Sequence, residues 1–353
     1  MSESSNASAQ RAPLSGQHAT MADVAKAAGV ALKSVSRVIN NEPHVSVQLR
    51  DKVLAAIAAL NYVPDTAARS LAGARSFTIS VLFDNPSPNY TMKVLAGAYK
   101  ACLERQYHLR IDSIDTSADA ATLHASLEAI FRNARCDGFV LTPPISDDPR
   151  VLDELERYGA RYARLAPFLD AGRSLAVTID DAAAAAGIAD LLYNQGHSRI
   201  GLVNGPKQHG AAHTRRQGFV ERLRQIDPSV IITEALGGFV FEGGIHAGGE
   251  LLSRPDRPTA IFATNDDSAA GVMVACSQLG LSVPRDVSVC GFDDSWVART
   301  TWPYLTTVFQ PIEAMAEAAA LMIIDRKEVD DASSNLQLDF KLILRDSVGP
   351  APL

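Results

Sequence analysis

The chain has 353 residues, of which 47% are hydrophobic and 21% are charged, and this length allows two or three domains with sizeable cores. No apolar run approaches the length of a membrane-spanning helix, and the N-terminus lacks the cationic start and apolar segment of a secretory signal, so we expect neither export nor a membrane partner. The formal net charge is -7, but residues 1–75 carry eight Lys or Arg and five Asp or Glu, so a basic N-terminal module precedes an acidic remainder.

A short first helix is predicted after residues 1–18, which are rich in Ser and Ala and should form a disordered tail. Thr20 can cap this helix, and Asp23 completes a T-x-x-D capping pattern. Gly29 ends it, because glycine accepts a left-handed turn. The helix then runs from Met21 to Ala28 and turns one apolar face inward.

A second helix should begin at Ala31 or Leu32 and end near Asn40, with Val35 and Val38 facing the first helix. The positions left facing outward are Leu32, Lys33, Ser36 and Arg37. Two small helices joined by a tight glycine turn predict a helix-turn-helix, in which the second helix enters the major groove of DNA. An ordinary helical hairpin is the alternative.

The detail of this segment favours the helix-turn-helix. The run D-V-A-x-x-A-G-V-x-x-x-[ST]-V-S-R-V-[IL]-N, here Asp23 to Asn40, resembles the head-piece of the lac repressor (LacI/GalR) family of bacterial transcription regulators. The resemblance covers essentially the whole chain after residue 19. One departure is Ala31, where the family usually has Ser or Thr as the cap of the recognition helix and as a phosphate contact.

The outward side chains are assigned roles on double-stranded operator DNA. Base readout is expected from Leu32 and Lys33, with Arg37 as a bidentate reader of guanine. Contacts to the DNA backbone that set the register are expected from Thr20, Ser36, Asn40, His44, Ser46 and Tyr62.

A third helix, capped by Ser46, should complete this head-piece at residues 19–63. Its apolar positions Leu49, Val53, Ile57 and Leu60 recur at helical spacing. A hinge helix at residues 64–75 is too short to be stable alone, so we expect it to order only when two copies pair over DNA. The hinge matches the family pattern A-x-x-L-A-G, which implies DNA contact by Ala68 and a wedge from Leu71 between base pairs in the minor groove. The alternative is that Leu71 only shields a domain junction.

From residue 76 to residue 350 short β-branched runs alternate with Ala-rich helices such as Met92 to Gln106. This alternation predicts parallel sheets covered on both faces. Two such series imply a periplasmic-binding-protein-like core of two doubly wound subdomains. The first subdomain is placed at about 76–178 and 308–330, and the second at about 179–307 and 331–350, with QLDFKLILRDS as its last strand.

Ligands of open parallel sheets bind beyond the carboxyl ends of the strands. Polar and aromatic residues follow several predicted strands there, including Asp84, Tyr90, Phe168, Asn265 and Asp293. Such residues suit a polyol, because paired hydroxyls favour bidentate partners and a sugar ring packs on an aromatic ring. The alternative for each Asp or Asn is that it caps the following helix.

The family resemblance implies further roles at this site. HTRRQGF is similar to the family signature R-x-x-G-[FW], which implies that Arg215 clamps ligand hydroxyls. Asn265 in FATND and Asp293 in GFDD resemble the ligand-contacting residues of the family. The segment TTWPYLTTVFQP resembles the crossing between subdomains, which implies Gln310 near the cleft and Trp302 at its mouth.

We therefore expect a cytoplasmic, nucleoid-associated regulator, most simply a repressor of carbohydrate genes that a sugar-like effector releases from DNA. A purine-type effector acting as corepressor is the first alternative, although that branch of the family stacks aromatic rings beside the first strand, where this chain has Asp84. A sugar-binding protein that does not bind DNA is the second alternative, and it would lack the helix-turn-helix.

Catalysis, a metal and a cofactor are not expected. No nucleophile elbow, dinucleotide fingerprint or phosphate loop occurs in the sequence, and the four cysteines have no metal-binding spacing. A two-fold dimer would read a pseudo-palindromic operator. No long leucine heptads follow the last strand, so we expect a homodimer without a tetramer-forming helix.

Overall fold

The computed structural model describes residues 19–39, 43–62, 75–133, 135–329 and 334–352. The expectations for the tail, for Asn40 and for the hinge residues Ala68 and Leu71 lie outside the described residues. The chain divides into two compact units, Met1–Ser76 and Phe77–Leu353. Among the helices within the described ranges, none is long and apolar enough to cross a bilayer.

The first unit contains three helices, whose caps follow from the sequence. They are α1 (Met21–Ala28), α2 (Leu32–Ile39) and α3 (Val47–Ala59). Thr20 and Asp23 form the expected capping box, and Gly29 adopts a φ of 65° at the end of α1. Ser46 caps α3 by accepting a hydrogen bond from the backbone N–H of Leu49 at 3.3 Å.

The three helices share a small apolar core. Val24, Val35 and Val53 are fully buried at its centre, and Met21, Leu49 and Ile57 pack around them. The expectation that Leu60 closes this core is wrong. Leu60 follows the last turn of α3 and is exposed, while Ala56 and Tyr62 take the buried positions. Each of these three buried valines contributes roughly 1.5–3 kcal/mol to the stability of the core before the loss of conformational entropy is counted.

The first lobe of the second unit is a six-stranded parallel sheet with helices on both faces. Its strands are β1 (Thr78–Phe83), β2 (His108–Ser113), β3 (Gly138–Leu141), β4 (Tyr162–Leu165), β5 (Leu175–Thr178) and β11 (Asn335–Gln337), in the order β11-β5-β4-β3-β1-β2. The covering helices are α4 (Pro88–Arg105), α5 (Ala120–Asn133), α6 (Pro149–Arg157) and α11 (Ile312–Ile324). Every residue of β3 and β4 is buried, as expected for strands covered on both sides.

The second lobe is built in the same way around a four-stranded parallel sheet. Its strands are β6 (Arg199–Asn204), β7 (Ile231–Leu236), β8 (Ala260–Ala263) and β9 (Ser288–Cys290), in the order β7-β6-β8-β9. Its helices are α7 (Asp181–Asn194), α8 (Gly210–Ile226), α9 (Phe241–Leu252) and α10 (Asp266–Gln278). A separate antiparallel pair joins β10 (Thr307–Phe309) to β12 (Lys341–Ile343).

The segment QLDFKLILRDS does not form one strand in the second lobe, as the sequence had suggested. It contributes to two strands, and β11 pairs with β5 of the first lobe, with Leu336 opposite Val177. The backbone of β5 would otherwise leave an unpaired edge, and Leu336 packs on the apolar core there. Residues 335–337 therefore belong to the first lobe, and the chain crosses to the second lobe only after them.

Candidate functional site

The exposed surface of α2 carries the side chains that were predicted to read bases. Leu32 is 52% exposed, and Lys33 is exposed beside it. Ser36 and Arg37 are half-buried, and a guanidinium nitrogen of Arg37 donates to the carbonyl oxygen of Pro43 at 3.5 Å. This contact holds Arg37 against the loop that follows α2.

Two helix N-termini of the head-piece carry residues that were predicted to contact the DNA backbone. Thr20 precedes α1 and Ser46 precedes α3, and both are exposed. The N-terminus of a helix attracts anions, because its first N–H groups and its dipole point outward. His44 is also exposed and has a φ of 65° in the turn before α3. Phosphate contact is therefore compatible with all three positions.

Tyr62 is buried, whereas its predicted contact with the DNA backbone requires an exposed side chain. Only 7% of it is exposed, and it packs in the apolar core of the three helices. Its backbone N–H donates to the carbonyl of Ile57 at 3.0 Å and closes the end of α3. The structure therefore supports a packing role for Tyr62 in place of a surface contact.

A narrow cavity between the two lobes lies at the carboxyl ends of the strands, where the sequence placed the ligand. It is lined by Asn85, Ser87, Tyr90, Pro143, Ala166, His209, Ala211, Arg215, Phe239, Asn265, Asp293 and Gln310. Five of the eight predicted effector residues are among them, namely Tyr90, Arg215, Asn265, Asp293 and Gln310. The cavity is the candidate effector site.

Arg215 is the central charge of this cavity and is 4% exposed. Its Nε donates to Asp181 at 2.7 Å, and one terminal nitrogen donates to the backbone carbonyl of Thr264 at 2.8 Å. The guanidinium carbon lies 3.7 Å from the ring centroid of Phe292, close enough for a cation–π contact. A buried cation fixed in this way presents its remaining donors in a set direction.

Asp293 and Gln310 complete a polar cluster with Arg215. The side-chain nitrogen of Gln310 donates to Asp293 Oδ1 at 3.1 Å, and Arg215 lies 3.5 Å from the same oxygen. Burial raises the pKa of Asp293 to about 6, although the positive charges of Arg215 and Lys93 oppose the rise. Above that pH Asp293 is a buried carboxylate that can accept hydrogen bonds from ligand hydroxyls.

The remaining predicted residues, Tyr90 and Asn265, bring a ring and an amide to the cavity. Tyr90 lies in the first turn of α4, and burial, followed by the charge of Asp293, raises its pKa. The amide nitrogen of Asn265 donates to the carbonyl of Phe239 at 3.0 Å, and its oxygen caps α10 by accepting from Ser268. Asn265 is thus a helix cap, the alternative weighed for it, and it also lines the cavity.

His209 was not predicted, and it is the cavity's least satisfied side chain. It is 5% exposed at the N-terminus of α8, and within the described part of the chain neither of its ring nitrogens has a hydrogen-bond partner. Burial, followed by the charge of Arg215, lowers its pKa to about 3, so the ring is neutral and offers one donor and one acceptor. An isolated histidine before a helix carries no signal in the sequence that would have indicated this.

Phe239 was missed for a different reason. Its ring lies 4.9 Å from that of His209, edge to face, and its backbone has a φ of 64°. A Cβ at Gly205 would lie 2.4 Å from two ring atoms of Phe239, so this glycine is required by the close approach of the ring and not only by a turn. The ring reaches the cavity from a loop, where hydrophobic periodicity gives no information.

Three predicted effector residues do not line the cavity. Asp84 accepts hydrogen bonds from the backbone and hydroxyl of Thr116, so it fixes the loop after β2. Phe168 is 45% exposed in a neighbouring groove, where its ring packs on His213. Trp302 is 81% exposed and contacts Tyr304 edge-on at 5.6 Å. The neighbours Asn85 and Ser87, not Asp84, line the cavity.

A DNA-reading head-piece joined to a two-lobed core with a polar cavity defines the class of ligand-responsive transcriptional regulators. Residues 20–65 match the family model "Bacterial regulatory proteins, lacI family", and residues 189–348 match "Periplasmic binding protein-like domain". The ribose operon repressor of Escherichia coli K12 is 34% identical over 314 residues, covering 87% of this chain and 93% of that protein. The HTH-type transcriptional repressor PurR of Salmonella paratyphi B is 32% identical over 341 residues, covering 95% and 98%.

Solved structures agree with this class. The lac repressor bound to ONPG is 25% identical with a TM-score of 0.74, and CelR in complex with cellobiose is 27% identical with a TM-score of 0.67; each match covers 94% of this chain and 100% of the other. The lac repressor dimer bound to operator, at 24% identity and a TM-score of 0.75, shows the shared fold. The chain belongs to the lac repressor family of bacterial transcriptional regulators. It is a DNA-binding transcriptional repressor that responds to a small molecule, and the relatives named above are repressors and not enzymes.

Proposed function

We propose that the effector is a small uncharged carbohydrate that binds between the lobes. The observation that carries this proposal is the cluster of Arg215, Asp293 and Gln310, which lines one cavity together with Tyr90 and Phe239. Bidentate polar groups suit adjacent hydroxyls, and the rings suit the C–H face of a sugar. The ribose operon repressor and the cellobiose complex of CelR add support, since both names include a sugar.

The charges of the cavity favour a neutral ligand over an anionic one. Arg215 is already paired with Asp181 and lies near Asp293, and His209 carries no charge at neutral pH. A phosphate or carboxylate would therefore add negative charge beside two buried carboxylates, which costs free energy in a site of low dielectric.

A purine is the second candidate. Two rings, those of Tyr90 and Phe239, line the cavity from opposite lobes, and flat bases bind between such rings. The neutral ring of His209 could also pair with a donor and an acceptor on one edge of a base. In this second candidate the ligand is a corepressor, which raises operator affinity, whereas the sugar of the first candidate is an inducer, which lowers it.

Thermal-shift screening of the full chain distinguishes the two candidates. A ligand that binds only the folded protein raises the melting temperature by mass action. We expect stabilisation by at least one member of a panel of pentoses, hexoses and disaccharides, and none by hypoxanthine or guanine. Asp293→Asn is the control, and it should abolish the shift. If only the purines stabilise the protein, the effector is a purine base and not a sugar.

On DNA, we propose that Leu32, Lys33 and Arg37 read bases and that Thr20, Ser36, His44 and Ser46 contact the backbone. The exposure of Leu32 and Lys33 on α2, and of the residues before α1 and α3, supports this division. Asn40 and the hinge residues Ala68 and Leu71 are assigned from the sequence pattern alone, Leu71 as the wedge. The protein would act in the cytoplasm on nucleoid DNA. If Leu71→Ala leaves operator affinity and bending unchanged in a gel-shift assay, Leu71 does not insert between base pairs.

A further inference from the structure

Helix α4 of the first lobe and its cap residue contact the second lobe through three polar side chains. The ammonium of Lys93 donates to the backbone carbonyls of Asp293 and Asp294, each at 2.9 Å. At the start of the helix, the side chains of the cap residue Ser87 and of Asn89 donate to the carboxylate of Asp267 at the start of α10. These contacts cross between the lobes on one side of the effector cavity.

The two carbonyls that Lys93 binds belong to a strained dipeptide. Asp293 has a φ of 112° and Asp294 a φ of 43°, and consecutive non-glycine residues with positive φ are rare. Such backbone persists only where its surroundings impose it. The N–H of Asp293 is held by the carbonyl of Val308, and the carboxylate of Asp294 is held by Arg345. These two constraints come from β10 and from the segment after β12, whereas Lys93 reaches the loop from helix α4 of the first lobe.

We propose that Lys93 is a positioning residue that couples closure of the lobes to the geometry of the effector-binding Asp293. When the lobes are together, the ammonium fixes both carbonyls, and the dipeptide aims the Asp293 side chain into the cavity. Separation of the lobes removes this donor, and the loop loses one of the groups that impose its strain. The role at the effector site rests on the proposed function, but the effect on the loop does not.

Thermodynamic linkage predicts which arrangement of the lobes a bound ligand favours. A ligand that holds Asp293 in its observed position stabilises the carbonyl geometry that Lys93 recognises, and it therefore favours the closed arrangement. The positive charge of Lys93 also opposes the rise in the pKa of Asp293. Lys93 thus favours the ionised carboxylate that accepts hydrogen bonds from hydroxyls.

The same helix provides a matched control. Lys100 lies seven residues after Lys93 on α4, and its ammonium binds Glu317 of α11 at 2.8 Å, within the first lobe. Its side chain is 69% exposed. Lys100→Met therefore makes the same chemical change on the same helix without touching the second lobe.

Hydrogen exchange of the full-length protein without added ligand tests the proposal. In Lys93→Met, the amides of residues 291–295 should exchange about 10-fold faster or more, with little change in the β-strands. Lys100→Met should match the wild type, and Lys93→Arg, which keeps a donor at the loop, should restore most of the protection. Unchanged exchange in folded Lys93→Met, or an equal increase in Lys100→Met, would overturn the proposal.

A second measurement addresses the effector. For a sugar that stabilises the wild type in the thermal-shift panel, we expect Lys93→Met to weaken binding about 10-fold and Lys100→Met to leave it unchanged. Equal affinities in Lys93→Met and the wild type would contradict the coupling to Asp293. If no sugar binds any variant, the proposed function fails, and the exchange of residues 291–295 still decides the role of Lys93.

Discussion

Asp266 is buried beside the effector cavity, and its two oxygens have different partners. One accepts from the hydroxyl of Thr307 at 2.6 Å, and the other accepts from the backbone N–H of Ser295 at 2.7 Å. Burial, followed by the negative charge of Asp293, raises the pKa of Asp266 to about 8. The fold therefore favours its protonated form at neutral pH. This makes Asp266 a residue whose ionisation costs stability.

Asp266→Asn should remove a pH dependence of stability. The pKa of Asp266 is higher in the folded chain than in the unfolded chain, so the folded state binds more protons and its free energy of unfolding falls as the pH rises toward about 8. Between about pH 6 and about pH 8 the wild type should lose stability relative to the variant, on the order of 1 kcal/mol per pH unit. Urea unfolding at several pH values measures this. Parallel curves for the two proteins would show that Asp266 is ionised throughout.

Arg37 gives the second prediction at the residue scale. Arg37→Ala should weaken binding to a selected operator by about 1 to 3 kcal/mol and relax the preference at a single base pair, because a bidentate contact to guanine is lost. Titrations against single-base operator variants, selected first from a random pool, provide the measurement. Lys52→Ala, which removes a positive charge from α3, is the control. Equal weakening on operator and random DNA would make Arg37 a phosphate contact.

At the scale of elements, the head-piece helices could be predicted because their determinants are local. Thr20 with Asp23, Gly29 and Ser46 each fix a helix end within a few residues. The start of α4 was placed too late, at Met92, because Ser87 caps the helix and Pro88 occupies its first turn. The pairing of β11 with β5 depends on an open edge that only the assembled sheet provides. Local sequence signals therefore predict where a helix ends better than they predict which strands pair.

The residues that line the cavity also divide into those that local motifs predict and those that only the packing of the fold brings there. Arg215, Asn265, Asp293 and Gln310 lie in short motifs that resemble those of the family, and the resemblance was sufficient to place them at the cavity. His209 and Phe239 reach the cavity through the packing of α8 and of the loop before α9. The space that Gly205 leaves for Phe239 is visible only in three dimensions.

Helix α3 allows a test of whether the head-piece is an independent element. Val53 is fully buried in the core shared by α1, α2 and α3, and Val53→Ala should destabilise that core by about 2 kcal/mol. The second unit has its own cores, so its melting temperature should not change. Calorimetry of the full chain checks this, with Val47→Ala on the exposed side of α3 as the control. A lower melting temperature for the second unit would mean that the two units unfold together.

At the scale of the whole molecule, the effector cavity and the DNA-reading surface belong to different units of the chain, so any influence between them is a coupling free energy. Linkage requires this coupling to be reciprocal: the factor by which the effector lowers operator affinity equals the factor by which the operator lowers effector affinity. For a sugar that acts as inducer we expect a factor of about 5 to 150 in both directions. Fluorescence titrations of operator with and without sugar, and of sugar with and without operator, measure the two factors.

Asp293→Asn should bind operator normally and show neither effect, because it loses the carboxylate for the ligand while α1, α2 and α3 are unaltered. If the small molecule instead raises operator affinity, the protein is controlled by a corepressor, and the same Asp293→Asn variant should then bind operator weakly whether or not the ligand is present.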